Sequence, residues 1–99
     1  MAQSIYKAFF GKAQEPWYQL SKAEQDSLLK KVTAARDKVG GKLHLICNVN
    51  WSSDAYQFFG VEVFPSLEAV QQHNKLLNEL NWFRYIDGFS ILGTEQPQA

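Results

Sequence analysis

Apolar and polar residues alternate along some stretches of the chain and recur every three or four positions along others, so the hydrophobic period marks out strands and helices in turn. Residues 4–10 are short, aromatic and β-prone, and predict a first strand that Gly11-Lys12 ends. A polar connection carrying Pro16, Trp17 and Tyr18 leads to Ser21-x-x-Glu24. That spacing is a capping box: the serine accepts from a free backbone N–H while the glutamate reaches back, and Leu20 before it suits a hydrophobic staple. From Lys22 onward Leu28, Leu29, Val32, Ala35 and Val39 recur at helical spacing, until Gly40-Gly41 stops the helix.

Residues 42–51 alternate strictly, with Leu43, Leu45, Cys47, Val49 and Trp51 on one side and His44, Ile46, Asn48 and Asn50 on the other. This predicts a strand whose dry face meets the helices. Ser52-Ser53-Asp54 reads as a turn, and residues 56–64 as a third strand, apolar on both faces apart from Gln57 and Glu62. So short a connection predicts an antiparallel hairpin. Pro65-Ser66 opens a second helix with Leu67, Val70, Leu77 and Leu80 as its stripe, and residues 81–84 form its exit. Residues 85–93 make a last strand in which Gly88 marks a candidate bulge, and residues 94–99 read as a loose polar tail.

The result is a β-α-β-β-α-β order over residues 1–99, read as one α+β domain with a four-stranded antiparallel sheet of the ferredoxin-like kind. A chain of 99 residues with 45% apolar composition supports one hydrophobic core. Two helices cover only one face of such a sheet. The third strand carries Phe58 and Phe64 on one side and Phe59, Val61 and Val63 on the other, so large apolar groups stay uncovered whichever side the helices take. At roughly 25 cal/mol per Å², leaving them in water forfeits several kcal/mol, which a second copy laid sheet against sheet would recover. A homodimer is therefore expected.

Ten basic and ten acidic residues balance, so no global field favours nucleic acid or an anionic membrane, and no apolar run approaches spanning length. The first residues lack the pattern of a signal peptide, and the single cysteine, Cys47, allows no internal disulfide, which together suggest a cytoplasmic protein. The sequence holds no glycine-rich phosphate loop, no zinc-like cluster and no serine elbow, so no cofactor and no metal are expected.

The stretch Val63-Phe64-Pro65-Ser66-Leu67-Glu68-Ala69-Val70-Gln71-Gln72-His73 resembles the strand-to-helix passage of antibiotic-biosynthesis-monooxygenase-like domains, members of the dimeric α+β barrel superfamily. In those domains an aromatic ends the strand and a histidine sits in the next helix. The resemblance implies a pairing of two copies into a barrel. The superfamily it points to includes cofactor-free monooxygenases, polyketide cyclases, lactone isomerases, haem enzymes and many proteins of unknown role. A second histidine that often follows in that family has no counterpart in residues 74–81.

His73 is the leading candidate for chemistry. Its helical neighbours Ala69, Val70, Leu76 and Leu77 are apolar, so the imidazole points toward the sheet, where desolvation favours the neutral form. A neutral imidazole in a cleft can act as a general base; the plainer reading is a core histidine held by a hydrogen bond. His44 falls on the opposite strand face and reads as an interface or surface residue. Trp17, Tyr18, Trp82 and Tyr85 stand where they either cap the core or line a pocket mouth. Tyr6, Tyr56 and Tyr85 are candidate hydroxyl donors to a bound oxyanion, with Tyr85 paired to His73 as the catalytic choice and Trp17, Tyr6, Tyr56 and Trp82 as ligand-binding. Asp87 reads as a surface residue. Two functions fit: a cofactor-independent cyclase, isomerase or monooxygenase acting on an aromatic or polyketide-like ligand, or a non-catalytic binding or structural dimer.

Overall fold

The elements follow the predicted order in a computed structural model that describes residues 3–97. Strand β1 (Ile5–Ala13) leads through a helical turn α1 (Glu15–Tyr18) to the long helix α2 (Lys22–Lys38). Strands β2 (Lys42–Asn48) and β3 (Phe58–Phe64) come next, then helix α3 (Leu67–Glu79), a second turn α4 (Trp82–Tyr85) and strand β4 (Ile86–Gly93). The four strands form one antiparallel sheet in the order β2-β3-β1-β4, the ferredoxin-like arrangement. Of the tail, residues 94–97 lack regular structure and residues 98–99 lie outside the described residues.

Local chemistry accounts for the helix ends. The Ser21 hydroxyl accepts from the Glu24 N–H at 3.1 Å and the Glu24 carboxylate accepts from the Ser21 N–H at 2.9 Å, completing the capping box. These bonds hold the Glu24 carboxyl below its ordinary pKa. At the other end Gly40 takes φ 78°, the left-handed conformation that glycine reaches without steric cost. The Ser66 hydroxyl caps α3 through the Ala69 N–H, and Asn81 leaves that helix at φ 57°, a region asparagine tolerates.

Four expectations need correction. β1 does not end at Gly11-Lys12: Gly11, Lys12 and Ala13 pair with Gly88, Asp87 and Ile86, so the strand continues along β4. Gly88 marks no bulge; the pairing runs through it in register, and its α-carbon lies so close to the Phe10 carbonyl that a Cβ would collide with it. The connection between β2 and β3 spans residues 49–57, longer than the turn expected at residues 52–54, but the two strands do pair antiparallel as the expected hairpin, with the Val49 N–H donating to the Gln57 carbonyl at 2.9 Å.

The fourth correction concerns β2. Its register shifts between Leu43 and Leu45, so that Leu43 pairs with Glu62 and Leu45 with Val61, leaving His44 as the extra, exposed residue of a bulge. A bulge of one residue reverses the facing of all that follows. Leu43 and Ile46 therefore lie on the helix side, while Leu45 and Cys47 turn to the open side with Val61 and Phe59. The single dry face read from strict alternation does not exist.

The helix side of the sheet thus presents Lys7, Phe9, Phe58, Glu62 and Phe64, and the open side Tyr6, Ala8, Phe10, Phe59, Val61, Val63, Phe89 and Ile91. Phe64, Val70, Leu77, Leu28, Ala35 and Ile86 form the buried core between sheet and helices. Among the described residues no helix is long and apolar enough to cross a membrane.

Candidate functional site

Two glycines on the helix side let large rings come close against the sheet. A Cβ at Gly60 would stand 2.5 Å from the Phe9 ring, and one at Gly11 would stand 2.5 Å from the Phe58 ring. Phe9 and Phe58 meet edge to face, 6.1 Å apart. Above this aromatic floor, between the sheet and helices α2 and α3, lies a cavity of about 650 Å³. That volume is ample for a ligand of two or three fused rings. Leu29 and Val32 of α2 form part of the wall, together with Leu43 and Ile46 of β2, and Trp17, Trp82 and Phe83 bring aromatic surface from the two helical turns.

The ionisable groups of the lining gather on one part of this wall: Lys7 from β1, Arg36 from α2, Glu62 from β3 and His73 from α3. His73 comes inward because it shares a helix face with Val70 and Leu77, both buried. It is 1% exposed, its ring lies 5.1 Å from that of Phe64, and among the described residues neither Nδ1 nor Nε2 has a hydrogen-bond partner. Burial lowers its pKa to about 4, assisted by the positive charges of Lys7 and Arg36, so the imidazole is neutral around pH 7.

Glu62 is likewise buried and accepts from Arg36 Nη1 at 3.2 Å. Arg36 Nε is buried without a partner. Lys7 pairs with Glu62 across the β1–β3 ladder but makes no side-chain hydrogen bond or ion pair among the described residues. Burial lowers its pKa, and the Glu62 charge opposes that shift. The cluster therefore holds two cations, one carboxylate and one neutral histidine with free lone-pair capacity.

The structure brings only some of the predicted residues to this place. Trp17 and Trp82 line the cavity with His73. Tyr85 stands half-buried at the end of α4, outside the lining, where its carbonyl accepts from the Gln14 N–H at 2.8 Å. The Tyr6 hydroxyl, on the open side, donates to Glu95 at 3.0 Å, and this contact raises its pKa. Tyr56 packs against Phe10 and Phe89, each 5.6 Å away, in the open-side aromatic cluster. Tyr18 accepts from Gln57 Nε2, and Asp87 is exposed on β4 opposite Lys12. Among the described residues no three histidine, cysteine, aspartate or glutamate side chains gather as metal ligands.

Sequence reading did not single out Lys7, Arg36 or Glu62 as a site. Two signals were present: a lysine within an apolar strand, and an arginine four residues after Val32 on the buried stripe of α2.

No protein-family model matches the sequence, and no curated protein matches it. Among solved structures, a protein of unknown function from Rhodopseudomonas palustris superposes with a TM-score of 0.71 at 12% identity, covering 99% of this chain and 86% of that one. SnoaB, a cofactor-independent oxygenase from Streptomyces nogalater, superposes with a TM-score of 0.61 at 12% identity, covering 98% of this chain and 97% of its own. At this identity the likeness is one of architecture: the chain has the ferredoxin-like α+β fold that these two structures share.

Proposed function

We propose that the protein works as a homodimer, each subunit binding a flat aromatic or polyketide-like molecule in its cavity, and that it is a cofactor-independent enzyme with His73 as general base. The observation that carries this reading is the imidazole itself, buried, uncharged, bordering the cavity and without a partner on either nitrogen. An unsatisfied buried polar group costs about 1–3 kcal/mol, and a ligand that hydrogen-bonds it recovers that energy on binding. Cyclisation, isomerisation and oxygenation of such molecules share a first step: a proton leaves a carbon or oxygen conjugated with a carbonyl. The proton passes to a His73 nitrogen lone pair, and the electron pair stays on the substrate as an enolate or phenolate. Trp17, Trp82, Phe9 and Phe58 offer faces on which the ring system stacks. The fold shared with SnoaB supports an enzyme of this class.

The test is proton exchange at the α-carbon of 1-tetralone in D2O, followed by NMR. The protein should accelerate exchange over buffer, and His73→Phe should remove the acceleration while leaving circular dichroism unchanged. Exchange that is equally fast in His73→Phe would refute the base assignment. Binding of the ketone without His73-dependent exchange would favour the second reading, a non-catalytic binding protein.

A further inference from the structure

The polar cluster beside the aromatic floor has an imbalance that the proposed base does not use. Glu62 is one carboxylate facing two cations, and it makes its ion pair with Arg36 alone. Among the described residues Lys7 is left without an ion pair, and Arg36 Nε is buried with no acceptor. Among the described residues no other charged side chain borders the cavity: Lys42, Asp87 and Lys12 fall on the open side of the sheet, and His44 is exposed on the β2 bulge. An excess cation held only partly in water, as Lys7 is, is costly unless an anion meets it.

We propose that this part of the cavity is an anion subsite, and that the ligand is an aromatic monoanion whose carboxylate or ionised hydroxyl oxygen is held by Lys7 Nζ and Arg36 Nε. This rests on the cavity being a ligand site, and adds to it the charge of the ligand. Glu62 is a positioning residue here: its bond to Nη1 fixes the guanidinium plane. Phe9 and Phe58 on the floor, with the tryptophans at α1 and α4, accommodate the ring system that bears the anion.

The subsite also bears on His73. Lys7 and Arg36 are two of the causes that hold its pKa near 4, where an imidazole is a weak base. A ligand anion seated between them cancels part of that field. The pKa of His73 then rises toward the range in which a general base is effective, so an anionic ligand makes it a stronger base than an uncharged one does.

Binding is read by tryptophan fluorescence and calorimetry with 2-naphthoate and with its uncharged counterpart 2-naphthamide, and the His73 pKa by NMR titration. The wild type should bind the carboxylate at least tenfold more tightly than the amide. It should also bind 4-nitrophenol with a gain of the phenolate absorption band at a pH below the free phenol's ionisation. Lys7→Met, close in size and uncharged, should remove most of the tenfold preference and the band, keep the amide affinity, and raise the His73 pKa. Bound 2-naphthoate should raise that pKa in the wild type. Equal affinity for acid and amide would overturn the anion subsite while leaving the cavity as a ligand site. No binding of either probe would overturn both. A preference for 2-naphthoate over amide that survives in Lys7→Met with His73 unshifted would remove Lys7 from the assignment.

Discussion

His73 was legible in the sequence because its neighbours three and four residues away are apolar, and a helix that packs by that stripe has to carry the imidazole inward. Its setting was not legible. That required Lys7 and Arg36, which lie on different elements and whose sequence neighbours say nothing of a shared site. A tyrosine near His73 was a reasonable expectation by chemistry, yet cations border the cavity instead, because strand parity sends Tyr6 to the side opposite Lys7. The burial of His73 has a consequence for stability. In the unfolded chain the imidazole titrates near 6.5, and in the folded protein near 4. Between those values the unfolded state binds a proton that the native state does not, so acid favours unfolding. His73 should therefore withdraw up to about 3 kcal/mol of stability as the pH falls from 6.5 to 4. Urea denaturation of wild type and His73→Leu across this range should show two curves that converge or cross, with the variant gaining on the wild type toward acid. Parallel curves would mean that the imidazole binds its proton as readily in the folded protein as in the unfolded chain.

The helices are where sequence and structure agree closely, since their signals are local. A serine, a glutamate three residues later and a glycine pair are enough to place both ends of α2. The strands depend on partners far away in the chain. β1 reaches Ala13 because β4 is there to pair with it, and the bulge at His44 depends on how β2 meets Glu62 and Val61. Period-2 alternation cannot reveal an inserted residue, so the sequence assigned Leu45 and Cys47 to the wrong face. The cavity floor is a property of this sheet as an element. Gly60 leaves room for the Phe9 ring, and its α-carbon also lies close to the neighbouring strand, where a Cβ would stand 2.6 Å from the Leu45 carbonyl oxygen. A ring could swing away, but the backbone of β2 cannot without breaking the ladder. Gly60→Ala should destabilise the protein by about 1–3 kcal/mol through this overpacking. It should also lift Phe9 into the cavity and weaken ligand binding. Thermal denaturation reads the first effect and a 2-naphthoate titration the second; a Tm equal to that of the wild type would show that the sheet yields at this point.

At the scale of the whole molecule the described residues form a flat body, with extents of 46 × 31 × 16 Å. Its radius of gyration is 14.3 Å, against about 13 Å for a globule of this length. The flatness comes from two helices covering one side of the sheet, as the element order implied. The other side carries a continuous aromatic and aliphatic surface. Phe10 and Phe89 stack at 4.9 Å, Phe59 and Tyr56 lean on Phe10, and Leu45, Phe89 and Ile91 remain 41%, 47% and 60% exposed. Fully burying a large apolar side chain is worth about 1.5–3 kcal/mol. Burying the exposed parts of several such residues from each of two copies is the gain that the proposed homodimer sets against an association cost of about 4–15 kcal/mol. Ile91 separates the dimer from the fold. In an isolated subunit it is more than half in water, so a carboxylate there changes stability little; against a second sheet the same carboxylate would be buried without a counter-charge. Sedimentation at tens of micromolar should accordingly give the mass of two chains for the wild type and of one for Ile91→Asp, with the same circular dichroism for both. A wild type that sediments as one chain would leave the open face without its partner and remove the homodimer from the proposed function, while the cavity and its charged cluster, which lie on the other side of the sheet, would stand untouched.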